Sequence, residues 1–136
     1  MATQAQIREG LRARLATIAG WIVSAYVPGS PSSPGMYVMP GAIAYDIAGS
    51  RGADELIFAI VAYAAVVEAQ GAQLKLDQAR APSGAGSVKA AVEGDRTLGG
   101  VVDNCRVASA SEVQTGLFPG TQSQVVFCTF EVRILD

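Results

Sequence analysis

Glu55 to Val67 reads Glu-Leu-Ile-Phe-Ala-Ile-Val-Ala-Tyr-Ala-Ala-Val-Val, and this stretch decides the fold. From Leu56 onward it carries no charge, and Ile, Val, Phe and Tyr dominate it. A membrane-spanning helix needs about 20 apolar residues, so the run is too short to cross a bilayer. Its β-branched and aromatic side chains lose rotamer freedom in a helix and pack well on a pleated surface, which favours a strand. A strand with one wet face alternates apolar and polar residues. This one is apolar on both faces, so each side of the sheet needs a cover. Helices of the same chain are expected on one side and another subunit on the other.

Composition sets the frame around that strand. A chain of 136 residues holds one core, so a single domain over residues 1–136 is expected. Half of the residues are hydrophobic and only 16% are charged, which points to apolar surface buried between subunits. A net charge of -2 provides no basic stripe, so sequence-specific nucleic-acid binding is not expected, nor is a membrane partner. Histidine is absent, which removes every His-based triad, general base and metal ligand. Cys105 and Cys128 are far apart and form no C-x-x-C pair, so the usual zinc spacings are missing too. The opening residues run into a charged, amphipathic segment rather than an apolar export signal, so an intracellular, reduced chain is expected.

On the N-terminal side, Thr3 can cap a helix from Gln4 to about Ala19, with Ile7, Leu11, Leu15 and Ile18 in one stripe. Gly20 ends it, and Arg8, Arg12 and Arg14 read as a solvated face. Trp21 to Val27 reads as a first strand, Pro28 to Gly35 as a loop, and Met36 to Met39 as an extended segment broken at Pro40-Gly41. Ile43 to Asp46 resumes it, and Ala48 to Asp54 is a second loop. On the C-terminal side, Ala69, Ala72, Leu76 and Ala79 keep helical spacing up to Pro82. Ser83 to Ser87 is a hinge, and Ser87 caps a short helix with Val88, Ala91 and Val92 inward.

Val101 to Ala110 and Gln124 to Leu135 read as two closing strands joined by a loop over Gln114 to Thr121. The last strand alternates, with Val126, Cys128, Phe130, Val132 and Ile134 on one face and Thr129, Glu131 and Arg133 on the other. The predicted layout is α+β: a mainly antiparallel sheet with helices packed on one face. This hairpin is expected to set Cys105 opposite Cys128, both reduced and buried.

The residues offer little chemistry. Asp54-Glu55 and the Glu93/Asp95 pair read as turn carboxylates, and Gly84-Ala-Gly86 lacks the strand and the spacing of a phosphate loop. No catalytic, cofactor or metal residue is expected, and the chain is read as a non-enzyme. Candidate partner contacts fall in loops: Pro28, Ser30, Pro31, Ser33 and Pro34, then Arg51 and Asp54, and Phe118. The two long loops are expected to gain order when partners bind.

Three segments carry a resemblance. Met-Ala-Thr-Gln-Ala-Gln-Ile-Arg-Glu-Gly-Leu-Arg-Ala-Arg-Leu-Ala-Thr-Ile (1–18) resembles the first helix of the tail terminator, or neck, proteins of long-tailed phages. Those of actinobacterial hosts are most similar. Ala-Pro-Ser-Gly-Ala-Gly-Ser-Val-Lys-Ala-Ala-Val-Glu (81–93) and Thr-Leu-Gly-Gly-Val-Val-Asp (97–103) resemble the family's link between second helix and terminal strands. The chain departs from the family pattern at Ala62 to Val67, which lacks a polar face, and at Leu74 to Arg80, which is less helix-typical.

The resemblance implies a small α+β virion protein without an active site. It implies a homo-oligomeric ring of six subunits that caps the tail tube, stops its polymerisation and joins the tail to the head connector. The partners implied are further copies of the chain, the major tail tube protein and the head–tail connector protein. The place implied is the head-proximal end of the tail, reached from the host cytoplasm. Competing readings are another head–tail joining or tail-completion protein, and a ligand-binding module with its pocket between helices and sheet. An enzyme has the least support.

Overall fold

The computed structural model describes residues 3–29, 34–45, 54–65 and 69–136. In chain order the elements are α1 (Gln4–Leu15), β1 (Ile22–Ser24), β2 (Gly35–Ala44), β3 (Glu55–Ala65), α2 (Ala69–Arg80), α3 (Val88–Glu93), β4 (Asn104–Ala110), β5 (Gln114–Leu117) and β6 (Gln124–Leu135). The sheet order is β1-β2-β3-β6-β4, with β5 also on β6. The uncharged stretch is thus the central strand, flanked by β2 and β6, both antiparallel to it. Positions 66–68 lie outside the described residues, including the last two of the expected strand.

All three helices contribute to one apolar cluster with one face of the sheet. Ile7, Leu11 and Leu15 of α1, Leu76 and Ala79 of α2, and Val88, Ala91 and Val92 of α3 meet Phe58 and Ile60 there, with the inward row of β6. The fold class is α+β with a dominant sheet and helices on one face, as the periodicities predict. Thr3 accepts from the Gln6 amide while the Gln6 side chain accepts from the Thr3 amide, a complete capping box. Ser87 accepts from the Ala90 amide and donates to the Ala81 carbonyl, so the hinge and the start of α3 are one unit. Helix α2 continues to Arg80 despite its less helix-typical sequence.

Several elements differ from expectation. Helix α1 ends at Leu15, because the Ile18 amide bonds back only three residues and the Thr17 hydroxyl takes the Arg14 carbonyl. Ile18 nevertheless stays buried. Strand β1 is short and runs parallel to β2, the one exception to antiparallel pairing among the described strands. Pro40-Gly41 does not stop β2. The strand passes through with a register shift between Pro40 and Ile43, and a Cβ at Gly41 would sit 2.7 Å from the Ile57 carbonyl oxygen.

The closing hairpin also moves. Gln114–Leu117 is strand rather than loop, and the chain reverses around Gly120, at φ 77, with Leu117 paired to Gln124. That reversal lies C-terminal to the one expected, so Cys105 pairs with Ile134 and Cys128 with Ala62. Along β6 the two cysteine levels are about 20 Å apart, too far for a disulfide. Both thiols are free and buried, as expected, but they are not neighbours.

The helix-face arginines are more than solvated charges. Arg8 donates to the carbonyls of Ala25 (2.9 Å) and Val38 (3.1 Å) and lies over the Tyr26 ring, tying α1 to β1 and β2. Arg14 donates to the Ala91 carbonyl, tying α1 to the end of α3. Arg12 alone behaves as read, pairing with Glu9 on the surface.

Candidate interface on the open face of the sheet

Side-chain alternation divides the sheet into two unlike surfaces. Leu56, Phe58, Ile60 and Ala62 point to the helices, so Glu55, Ile57, Ala59, Val61 and Tyr63 point away from them. On β2 the open row is Tyr37 and Met39, and on β6 it runs Val125, Phe127, Thr129, Glu131, Arg133. No helix among the described residues contributes to this side. Ile57, Ala59, Val61 and Phe127 are half-buried, and Met39 is 40% exposed.

The open face has two chemically different ends. At the end near Tyr63, the β5–β6 turn folds back and buries Phe118 against Tyr37 and Tyr63, with ring centroids 5.9 and 4.8 Å away. Gly116 lets the Phe127 ring lie over β5, since a Cβ there would come within 3.1 Å of it. Beside the aromatic group lies a cavity of about 260 Å³, floored by Val61 and Val125 and rimmed by Leu117 and Pro119. The turn Phe118–Ser123 is closed by a 2.8 Å backbone bond and a Thr121 hydroxyl bond to the Phe118 carbonyl. The open face is therefore partly covered by the chain itself, where a bare sheet was expected.

At the other end, Arg133 donates to Glu131 (3.2 Å) and faces Glu55 at 3.6 Å. Arg106 on β4 stands directly across from Arg133, a like-charge pair that the two carboxylates offset. Apolar and charged ends together make a surface with both signs of charge beside an exposed apolar row.

The outer edge of β4 is stapled to α3 at one amide. Glu93, at the end of α3, accepts from the Val107 amide (3.0 Å), and Lys89 and Arg96 bracket the same carboxylate. Burial works against ionisation of Glu93, but the Lys89 bond, the Val107 amide and Arg96 outweigh it and hold its pKa below the ordinary value of 4.5. Glu93 read as a turn carboxylate is instead the staple between α3 and β4. Arg80 adds a bond to the Ser111 carbonyl just beyond the strand. An edge amide already satisfied by a side chain cannot pair with a foreign strand.

The sequence-derived contact residues do not form one site. Ser30, Pro31, Ser33 and Arg51 lie outside the described residues, as do positions 32, 48–50, 52 and 53 of the two loops. Pro34 accepts from the Ile22 amide beside the start of β2, and Pro28 is half-buried beyond β1. Asp54 exchanges two backbone bonds with Asp136 at the opposite end of β3, about 30 Å from Tyr63 by strand rise. Phe118 corrects most: it is 1% exposed inside the aromatic group and cannot itself be a contact surface. Tyr37, Tyr63 and Phe127 were missed. Their signal was available, because each falls on the outward phase of its strand and is too large to be left wet.

Reactive groups are not concentrated anywhere among the described residues. Burial pushes both thiols up to about 11, which leaves them protonated and inert at neutral pH. Among the described residues no cluster of His, Cys, Asp and Glu could hold a metal ion, and no helix is long and apolar enough to cross a membrane. Compared with known protein families and with characterised proteins, the chain matches none.

Proposed function

We propose that the chain is a structural virion subunit that assembles with copies of itself into a ring and ends a phage tail tube. The observation that carries this reading is the open face of β2, β3 and β6. Met39, Ile57, Ala59 and Val61 form an apolar row without a described helix above it, in a chain with few charges. Every roughly 100 Å² of such surface removed from water contributes about 2.5 kcal/mol before the cost of association. A neighbouring copy is a fitting cover, since the mixed charges at the Glu55–Arg133 end can find partners on a second copy. A head-to-tail contact closes into a ring when the rotation per subunit allows it.

The resemblance of residues 1–18, 81–93 and 97–103 to tail terminators supplies the rest: six subunits, a tail tube below and a head connector above. The β4 amide already taken by Glu93 fits a subunit that associates through faces rather than through open-ended strand pairing.

The test mixes the protein with polymerising tail tube protein and follows tube length by electron microscopy. Short tubes with extra density at one end are expected. Tubes that elongate as freely as without the protein, with bare ends, would contradict the proposal.

A further inference from the structure

The aromatic end of the open face contains a feature that ring formation does not explain. Its cavity of about 260 Å³ is formed within one chain, by the fold-back of the β5–β6 turn over β2 and β3. Tyr37, Tyr63 and Phe118 are 4%, 2% and 1% exposed, so its inner walls are fixed by packing. Their rings meet tilted or edge-on, with interplanar angles of 50, 78 and 58°. Aromatic groups arranged this way accept a further ring at an edge or an offset face.

The lining is selective by what it lacks. None of the residues around the cavity is charged. An ion entering it would shed water without gaining a counter-charge, which is strongly unfavourable. The lining residues Tyr37, Tyr63 and Thr129 carry hydroxyls, and among the described residues those of Tyr37 and Thr129 take part in no hydrogen bond. Burial, and next the nearby Tyr63, raise the Tyr37 phenol further above its ordinary 10.0, so it stays neutral at any physiological pH. For size, an apolar cavity of about 150 Å³ holds benzene, so this one has room for two fused rings.

We infer that this cavity is a binding site for a small, uncharged aromatic molecule of one or two rings bearing at most one hydrogen-bonding group. The site lies on the opposite side of the sheet from the helices, whereas the competing ligand-module reading placed its pocket between helices and sheet. It belongs to the single chain and does not depend on the ring.

The probe is 2-naphthol, titrated by calorimetry and by NMR into the free protein at neutral pH, with 2-naphthoate as an anion of the same ring size. Saturable binding of one 2-naphthol per chain is expected, with shifts centred on the ring signals of Tyr63, Phe118 and Phe127. The anion should bind at least about tenfold more weakly. Val61→Phe places a ring in the cavity and should weaken 2-naphthol about tenfold or more. The wild-type shift map remains decisive even if that variant folds poorly. Absence of saturable binding, equal binding of 2-naphthoate, or shifts centred on the helix side would each overturn the inference.

Discussion

The two faces of the sheet are made from the same strands and solve different problems. On the helix side, β3 and β6 present Phe58, Ile60, Phe130 and Val132, all 1% exposed or less and closed over by α1, α2 and α3. On the other side the same strands present Ile57, Ala59, Val61 and Phe127, half-buried, with only the β5–β6 turn folded over one end among the described residues. The difference teaches that burial alone does not distinguish a closed core face from one that the chain leaves open. What distinguishes them is whether the covering element belongs to the chain. Among the described residues, the helix face is complete within one copy and the open face is covered only at its aromatic end.

That contrast predicts a steep gradient of mutational cost. Phe58→Ala on the helix face should destabilise the folded chain by about 4 kcal/mol, the usual penalty for emptying a closed core site. Denaturant unfolding of the variant checks it. A loss similar to that of an open-face substitution would erase the distinction between the faces.

The next largest effect belongs to Glu93, which joins the helix layer to the sheet edge. Glu93→Ala leaves the Val107 amide without its acceptor and should cost about 2 kcal/mol. The pH sign follows from its lowered pKa. The Glu93 contribution is complete above the ordinary value of 4.5 and disappears as pH falls through the lowered folded value. Acid unfolding of wild type and Glu93→Ala should therefore converge at low pH and diverge above it. Parallel curves would remove the carboxylate from the account.

Much of the helix face was legible in the sequence, and the physical reason is periodicity. The stripe Ile7, Leu11, Leu15, Ile18 and the alternation through Val126 to Ile134 are local patterns, and the structure follows them. Thr3 and Ser87 were legible because a cap is decided within four residues. The open face was legible only as a surplus of apolar residues around Glu55 to Val67. Its details depend on where the last hairpin reverses, and Pro119-Gly120 competes locally with Thr115-Gly116 for that role. The later reversal created β5, separated the two cysteines and carried Phe118 onto Tyr37 and Tyr63. Arg8 and Arg14 escaped for another reason: their acceptors are carbonyls distant in sequence, which leave no local mark.

A smaller effect on the free chain, and a larger one on assembly, is expected at Ile57. Ile57→Arg keeps its position half-exposed, so the isolated chain should lose no more than about 1 kcal/mol. Tail-tube capping should be lost, because the charge lands in the middle of the proposed contact. A variant that caps normally would move the interface elsewhere.

The smallest effect should be at the thiols. Neither should react with a thiol reagent in the folded protein at neutral pH, and both should titrate after unfolding without reductant. Their raised values have the opposite sign to that of Glu93. Stability from the protonated thiols is complete below 9.0 and is lost as pH rises towards about 11. One disulfide per chain in native material would contradict the register that keeps Cys105 and Cys128 apart.

The most direct test of the central claim is an averaged electron-microscopic reconstruction of tail-tube ends formed with the wild-type protein. The account predicts a closed ring of six copies at one end, with the β2–β3–β6 open face of each copy turned into its neighbour. Bare ends, or a ring in which that face looks out to solvent, would contradict it.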